Sequence, residues 1–180
     1  MRQPVDFIVT RCLLSDAELT PAAIARRCDI RVTSAIRAYK NLQSRTGLRP
    51  ARLFQHLRAV KERPHWTSLL FRIPNPEQWA RRYARERWFS GEVAAALDGF
   101  DLVPERWLVY LRAGDMEAAV AAAQDEFALV AKPSAANMVF RVADPWMHLD
   151  PASNLVERGQ RLLDYWESDH VQLTAELMHG

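Results

Sequence analysis

Residues 20–42 read TPAAIARRCDIRVTSAIRAYKNL. Thr20 ahead of Pro21 is a helix start, because a threonine hydroxyl can cap the first free amides and a first-turn proline gives up a donor that had no partner there. The spacing predicts a short helix from Pro21 to Cys28, a turn at Asp29, and a second helix from about Val32 to Ser44 with Gly47 as its stop. This is the pattern of a helix-turn-helix, in which the first helix braces and the second enters the DNA major groove. Ala25 supplies the small residue where the helices cross, Ile24, Cys28 and Ile30 fill the space between them, and Ala35, Ala38, Tyr39 and Leu42 form the inner side of the second helix. Arg31, Thr33, Ser34, Arg37, Lys40 and Asn41 are left outward, and Arg45 just past the end of the helix joins them as a candidate DNA contact. These residue types hydrogen-bond to phosphates and base edges.

Two positions depart from the simplest pattern. Asp29 stands where glycine would turn most easily, although a short polar side chain tolerates left-handed backbone. Ile36 falls outward where a polar residue is expected, so either it meets a thymine methyl or the register is off by one. The competing explanation of the whole stretch is a plain helical hairpin whose arginine face binds an acidic protein partner.

Charge around the stretch favours nucleic acid. Over the full 180 residues the formal net charge is only +2, but residues 1–90 hold 18 Lys or Arg against 7 Asp or Glu, and the remainder holds 6 against 15. A basic half and an acidic half point to different partners. No apolar run approaches the roughly 18–20 residues that cross a bilayer, and the opening MRQPVDFIVT carries an acid inside its apolar stretch, so a cytoplasmic protein with no membrane contact is expected. Cys12 and Cys28 sit at helix-like apolar positions and read as reduced small hydrophobes.

Working outward, PVDFIVTRCLL places Val5, Ile8, Cys12 and Leu13 on one face of a first helix, and ARLFQHLRAVKE reads as a further helix. TSLLFRI, residues 67–73, reads as a strand and as the second arm of a wing lying between Leu48 and Ile73, with no first arm evident. Asn75, Pro76 and Gln78 open a helix PEQWARRYARERW. GEVAAAL and MEAAVAAAQDEF are helical, while WLVYL (107–111), FALVA and NMVFRVA are strand-like. A last helix, capped by Asp150 with Pro151 next, carries Leu155, Leu162, Leu163 and Trp166. The sum is α+β: a winged helix-turn-helix domain over 1–74 followed by a small mixed α/β domain over 75–180 that binds a partner.

These segments resemble the AbiEi-type antitoxins of type IV toxin-antitoxin systems, which join an N-terminal winged helix-turn-helix to a C-terminal α/β domain. The likeness rests on the opening stretch, on RWFSGEVAAALDGFDLVPERWLVYL, on AANMVFRVADP and on the helix NLVERGQRLLDYW. It implies a repressor that regulates transcription of its own operon. A reading helix of this kind normally meets double-stranded DNA at an inverted-repeat operator, bound by a homodimer or by cooperating monomers. The resemblance further implies neutralisation of a nucleotidyltransferase-like toxin by the second domain.

An enzyme is not expected. The Ser-Gly pair followed by a strand is similar to nucleotidyltransferases, whose strand holds two carboxylates one residue apart for the metal, yet WLVYL has none. Glu167 with His170 and Glu176 with His179 show the three-residue offset of di-iron proteins, but such sites draw their pairs from different helices. No metal or other cofactor is therefore expected. Asp144, His148 and Asp150 read as turn chemistry. The tryptophans 66, 79, 88, 107, 146 and 166 fall at apolar periodicity and read as core.

Overall fold

The computed structural model describes residues 4–60, 68–82, 87–124, 128–129, 135–149, 152–168 and 170–179. In chain order the elements are α1 (Val5–Ser15), α2 (Pro21–Arg27), α3 (Val32–Thr46), α4 (Pro50–Ala59), β1 (Ser68–Arg72), α5 (Pro76–Arg82), β2 (Trp88–Ser90), α6 (Gly91–Leu97), β3 (Trp107–Leu111), α7 (Met116–Gln124), β4 (Ala128–Leu129), β5 (Met138–Val142), α8 (Arg158–Glu167) and α9 (Val171–His179). The fold is α+β, and no described helix is long and apolar enough to cross a membrane.

Two compact units share the chain. The first takes residues 1–65, 145–148 and 157–180, and the second takes 66–144 and 149–156. A single cut in sequence order at 74/75 therefore does not reproduce the units, because the chain returns to the first after completing the second.

The first unit is helical. Its centre is α1, which buries Phe7, Ile8, Val9, Cys12, Leu13 and Leu14 and also, unexpectedly for a charged residue, Arg11. A helix apolar on nearly every side must be surrounded, and α1 packs against α2, α3, α4 and α8. The caps act where the sequence places them. Thr20 Oγ1 accepts a hydrogen bond from Ala23 N at 3.2 Å, and Gly47 closes α3 in the left-handed conformation at φ 61°. Leu53, Phe54 and Leu57 turn α4 inward, and the Arg58 guanidinium lies 3.3 Å from the centre of the Trp166 ring.

The helix expected from Asp150 begins later than the sequence predicts, and α9 follows it. Arg158 opens α8 behind Glu157, and the expected cap at Asp150 and Pro151 lies outside the described residues. Leu155 belongs to the second unit, bridged to Phe89, rather than to that helix. Glu167 ends α8 and His170 precedes α9, whereas Glu176 and His179 both lie in α9, so the two pairs do not share a single helix.

The second unit is a mixed five-stranded sheet in the order β2-β3-β5-β1-β4, with β3 and β5 parallel and the other neighbours antiparallel. Register explains its core. Phe89 stands opposite Val109, Val109 opposite Phe140 and Phe140 opposite Leu69, and one step along, Trp107, Met138 and Phe71 form the next row. Strand side chains alternate between faces, so these residues share one face with Leu111. Trp79 of α5, Val93 of α6 and Ala119 of α7 complete the same cluster. Trp79 and Phe140 pack at 5.0 Å between ring centres, and Phe71 and Phe140 at 5.3 Å.

That sheet corrects two expectations. TSLLFRI is no wing arm: β1 pairs with β5 on one side and β4 on the other, because Phe71 and Ile73 are fully buried in the second unit's core. Thr67 and the rest of 61–67 lie outside the described residues. The helix opened by Asn75, whose Oδ1 accepts from Gln78 N at 2.9 Å, reaches Arg82, but Trp88 is in β2 and not in that helix. Of the strand expected at FALVA, Ala128 and Leu129 are described and are in β4.

Candidate nucleic-acid interface

The geometry of α2 and α3 is set by residues 28–31. Cys28 caps the end of α2, Asp29 adopts φ 50°, and Ile30 N returns a hydrogen bond to Ala25 O at 3.1 Å. The left-handed step at Asp29 turns the chain, and Ile24, Ala25, Cys28 and Ile30 are buried around it. From there α3 runs for 15 residues, burying Ala35, Ala38, Leu42 and Thr46 with Tyr39 half-buried beside them.

Opposite that inner side, Thr33, Arg37, Lys40 and Ser44 follow the i, i+4, i+7, i+11 series along the exposed face. Arg31 precedes the first turn and is exposed, Asn41 and Arg45 are exposed at the flank, and Ser34 is half-buried. Ile36 is 39% exposed and Val32 47%, one helical turn apart. The outward place of Ile36 is therefore real and the register is not shifted, since the inner positions are the buried ones.

No carboxylate lies on α3, and Asp29 is the only acid between residues 20 and 60. Sequence reasoning did not single out the flanking cations Arg26, Arg49 and Arg52, all exposed. Their signal was the run of arginines without intervening acids. Among the described residues, none of Arg26, Arg31, Arg37, Lys40, Arg45, Arg49 and Arg52 has an ion-pair partner. Such a surface can take phosphates through its cations and present Thr, Asn and Arg donors to base edges.

His56 of α4 is half-buried, and burial pushes its imidazole below the ordinary histidine value, with the Arg45 charge pushing the same way and Asp6 opposing. A neutral ring there avoids adding a charge near Arg45.

The same unit holds a buried ionic cluster. Arg11 Nε meets Glu157 Oε1 at 2.6 Å, and Arg27 Nη2 stands 3.8 Å from Glu157 Oε2. Arg11 Nη1 also donates to Gln160 Oε1 at 3.2 Å, and Gln160 Nε2 donates to Asp164 Oδ1 at 3.1 Å. An arginine set in an apolar helix was the available signal, but its partners are 146 and 149 positions away. Cys12 and Cys28 are buried free thiols with their sulfurs 3.4 Å apart. Among the described residues no three His, Cys, Asp or Glu side chains gather as a metal site.

Compared with known proteins, the chain matches no family model, no curated protein and no solved structure.

Proposed function

We propose that this protein is a sequence-specific DNA-binding regulator of transcription in the cytoplasm. Its reading helix is α3, with Arg31, Thr33, Ser34, Arg37, Lys40, Asn41 and Arg45 as the contacts. The observation that carries the reading is the exposed, carboxylate-free face of α3, set opposite its buried face and flanked by further unpaired cations. Phosphate-binding arginines would fix the helix on the duplex, Arg37 and Asn41 would discriminate bases, and Ile36 would meet a thymine methyl. An inverted-repeat operator bound by two copies is the arrangement such a helix ordinarily serves.

The likeness of the segments to AbiEi-type antitoxins supports a narrower reading: an autorepressor, not an enzyme, whose second unit neutralises a nucleotidyltransferase-like toxin. A reading frame for such a toxin beside this one, and a complex of the two chains on co-expression, are the expected results. A stand-alone reading frame would leave only the regulator.

The decisive experiment selects duplexes from a random pool and measures affinity for the winner against salt. Log affinity should fall linearly with log salt at a slope near −0.9 per phosphate neutralised. An absence of enriched sequence, with equal binding to an acidic polypeptide, would instead assign the arginine face to an acidic protein partner.

A further inference from the structure

Cys12 and Cys28 are the only cysteines of the chain, and both are buried in the first unit. Cys12 lies in the last turn of α1 and Cys28 caps α2, one residue before the left-handed Asp29. Their sulfurs are 3.4 Å apart, in hydrogen-bonding contact. A disulfide needs about 2.05 Å, so closure asks for a little over an ångström of sulfur movement, within the reach of small side-chain rotations. We infer that this pair is an oxidation site, a dithiol that a low-molecular-weight disulfide such as oxidised glutathione converts to an intramolecular Cys12–Cys28 bond.

The chemistry divides between the two thiols. The sulfur–sulfur hydrogen bond with Cys12 lowers the Cys28 thiol, while the same contact, burial and the nearby Glu157 carboxylate raise Cys12. Cys28, at the end of α2 beside the left-handed turn, is the thiol that a local opening exposes first, and it is the nucleophile. It attacks one sulfur of the reagent disulfide as the turn at 28–31 opens locally, forming a mixed disulfide and releasing one thiolate. Cys12, losing its proton, then attacks the Cys28 sulfur, and the second reagent thiolate leaves. Two electrons pass from the protein sulfurs to the reagent, and the two protein protons end on the two released thiols. The product joins α1 to the turn that aims α3, whatever α3 binds.

Linkage supplies a test that does not depend on access of the reagent. If the fold presents the sulfurs ready for closure, folding must stabilise the disulfide relative to the unfolded chain. The full chain is equilibrated in glutathione buffers of varied ratio, folded or in concentrated urea, then quenched with acid, alkylated and weighed. The folded chain should need a buffer at least about tenfold more reducing to open the bond. Peptide mapping should join the Cys12 and Cys28 peptides, with loss of two hydrogens and full recovery in dithiothreitol. Cys28→Ser should yield only a mixed disulfide at Cys12 or disulfide-linked dimers, and no intramolecular bond. A folded chain no harder to reduce than the unfolded one, or wild-type protein that forms only intermolecular disulfides, overturns the proposal.

Discussion

Arg11 and Glu157 meet at 2.6 Å with their side chains 0% and 1% exposed, one from the central helix of the first unit and the other at the start of α8. Both charges have left water, so neither can be removed cheaply alone. Glu157→Ala leaves a buried guanidinium without its counter-ion and should lower stability by about 3–5 kcal/mol. Arg11→Met with Glu157→Leu removes both charges and should cost much less than the two single changes added together. Urea unfolding followed by circular dichroism measures Arg11→Met, Glu157→Leu and the double variant beside Glu157→Ala, and strict additivity of the two singles in the double would refute the coupling.

Gly159 and Gly47 should respond differently to the same substitution. A Cβ on Gly159 would collide with the Arg11 carbonyl, part of the α1 backbone, whereas one on Gly47 meets nothing within 4 Å and suffers only from φ +61°. Gly159→Ala should therefore cost about 1–3 kcal/mol as overpacking, with a matching loss when asparagine is used. Gly47→Ala should cost about 1–2 kcal/mol, and Gly47→Asn should recover much of that because asparagine accepts left-handed backbone. Equal behaviour of asparagine at the two sites would contradict this division.

The contrast shows which features a sequence carries openly. Thr20, Pro21, Asp29 and Gly47 act on backbone within a few residues, so the α2–turn–α3 unit was legible, and with it the outward face of Arg37 and Lys40. The apolar run at 107–111 and the strand-like MVFRV at 138–142 likewise announced β3 and β5. Partners distant in sequence were not legible. Nothing in SLLFR states that β5 and β4 flank it, so local pattern alone leaves it free to read as a wing arm. The helical rhythm of PEQWARRYARERW carried on through Trp88, although Phe89 packing across from Val109 makes 88–90 a strand. Arg11 could be seen as odd, but Glu157 lies too far along the chain for local reasoning to pair them.

His56 makes stability depend on pH in a defined direction. Its folded value is depressed, chiefly by burial and then by Arg45, so below the ordinary value of 6.5 the unfolded chain takes up a proton that the folded chain refuses. Stability from this site is complete above pH 6.5 and falls as the pH drops from there toward the lower folded value. His56→Gln should flatten that part of the pH–stability curve. Denaturant midpoints from pH 7.5 to 5 in both proteins provide the check, and parallel curves would dismiss His56 as the cause.

Arg37 and Lys40 separate recognition from folding, because both are exposed and neither has an ion-pair partner among the described residues. Their alanine variants should keep wild-type unfolding within about 0.5 kcal/mol, as surface changes do. On selected duplex they should diverge. Arg37→Ala loses a guanidinium positioned for a base edge, so it should weaken the preferred sequence by about 1–3 kcal/mol and relax the preference at one base pair. Lys40→Ala loses a flexible point charge suited to phosphate, so it should weaken all duplexes about equally and reduce the salt slope by about one. Fluorescence anisotropy on the selected duplex and a scrambled one, each over a salt series, reads both effects. Wild-type affinity in both variants would remove α3 from the interface, since no other face of that helix is open to a groove.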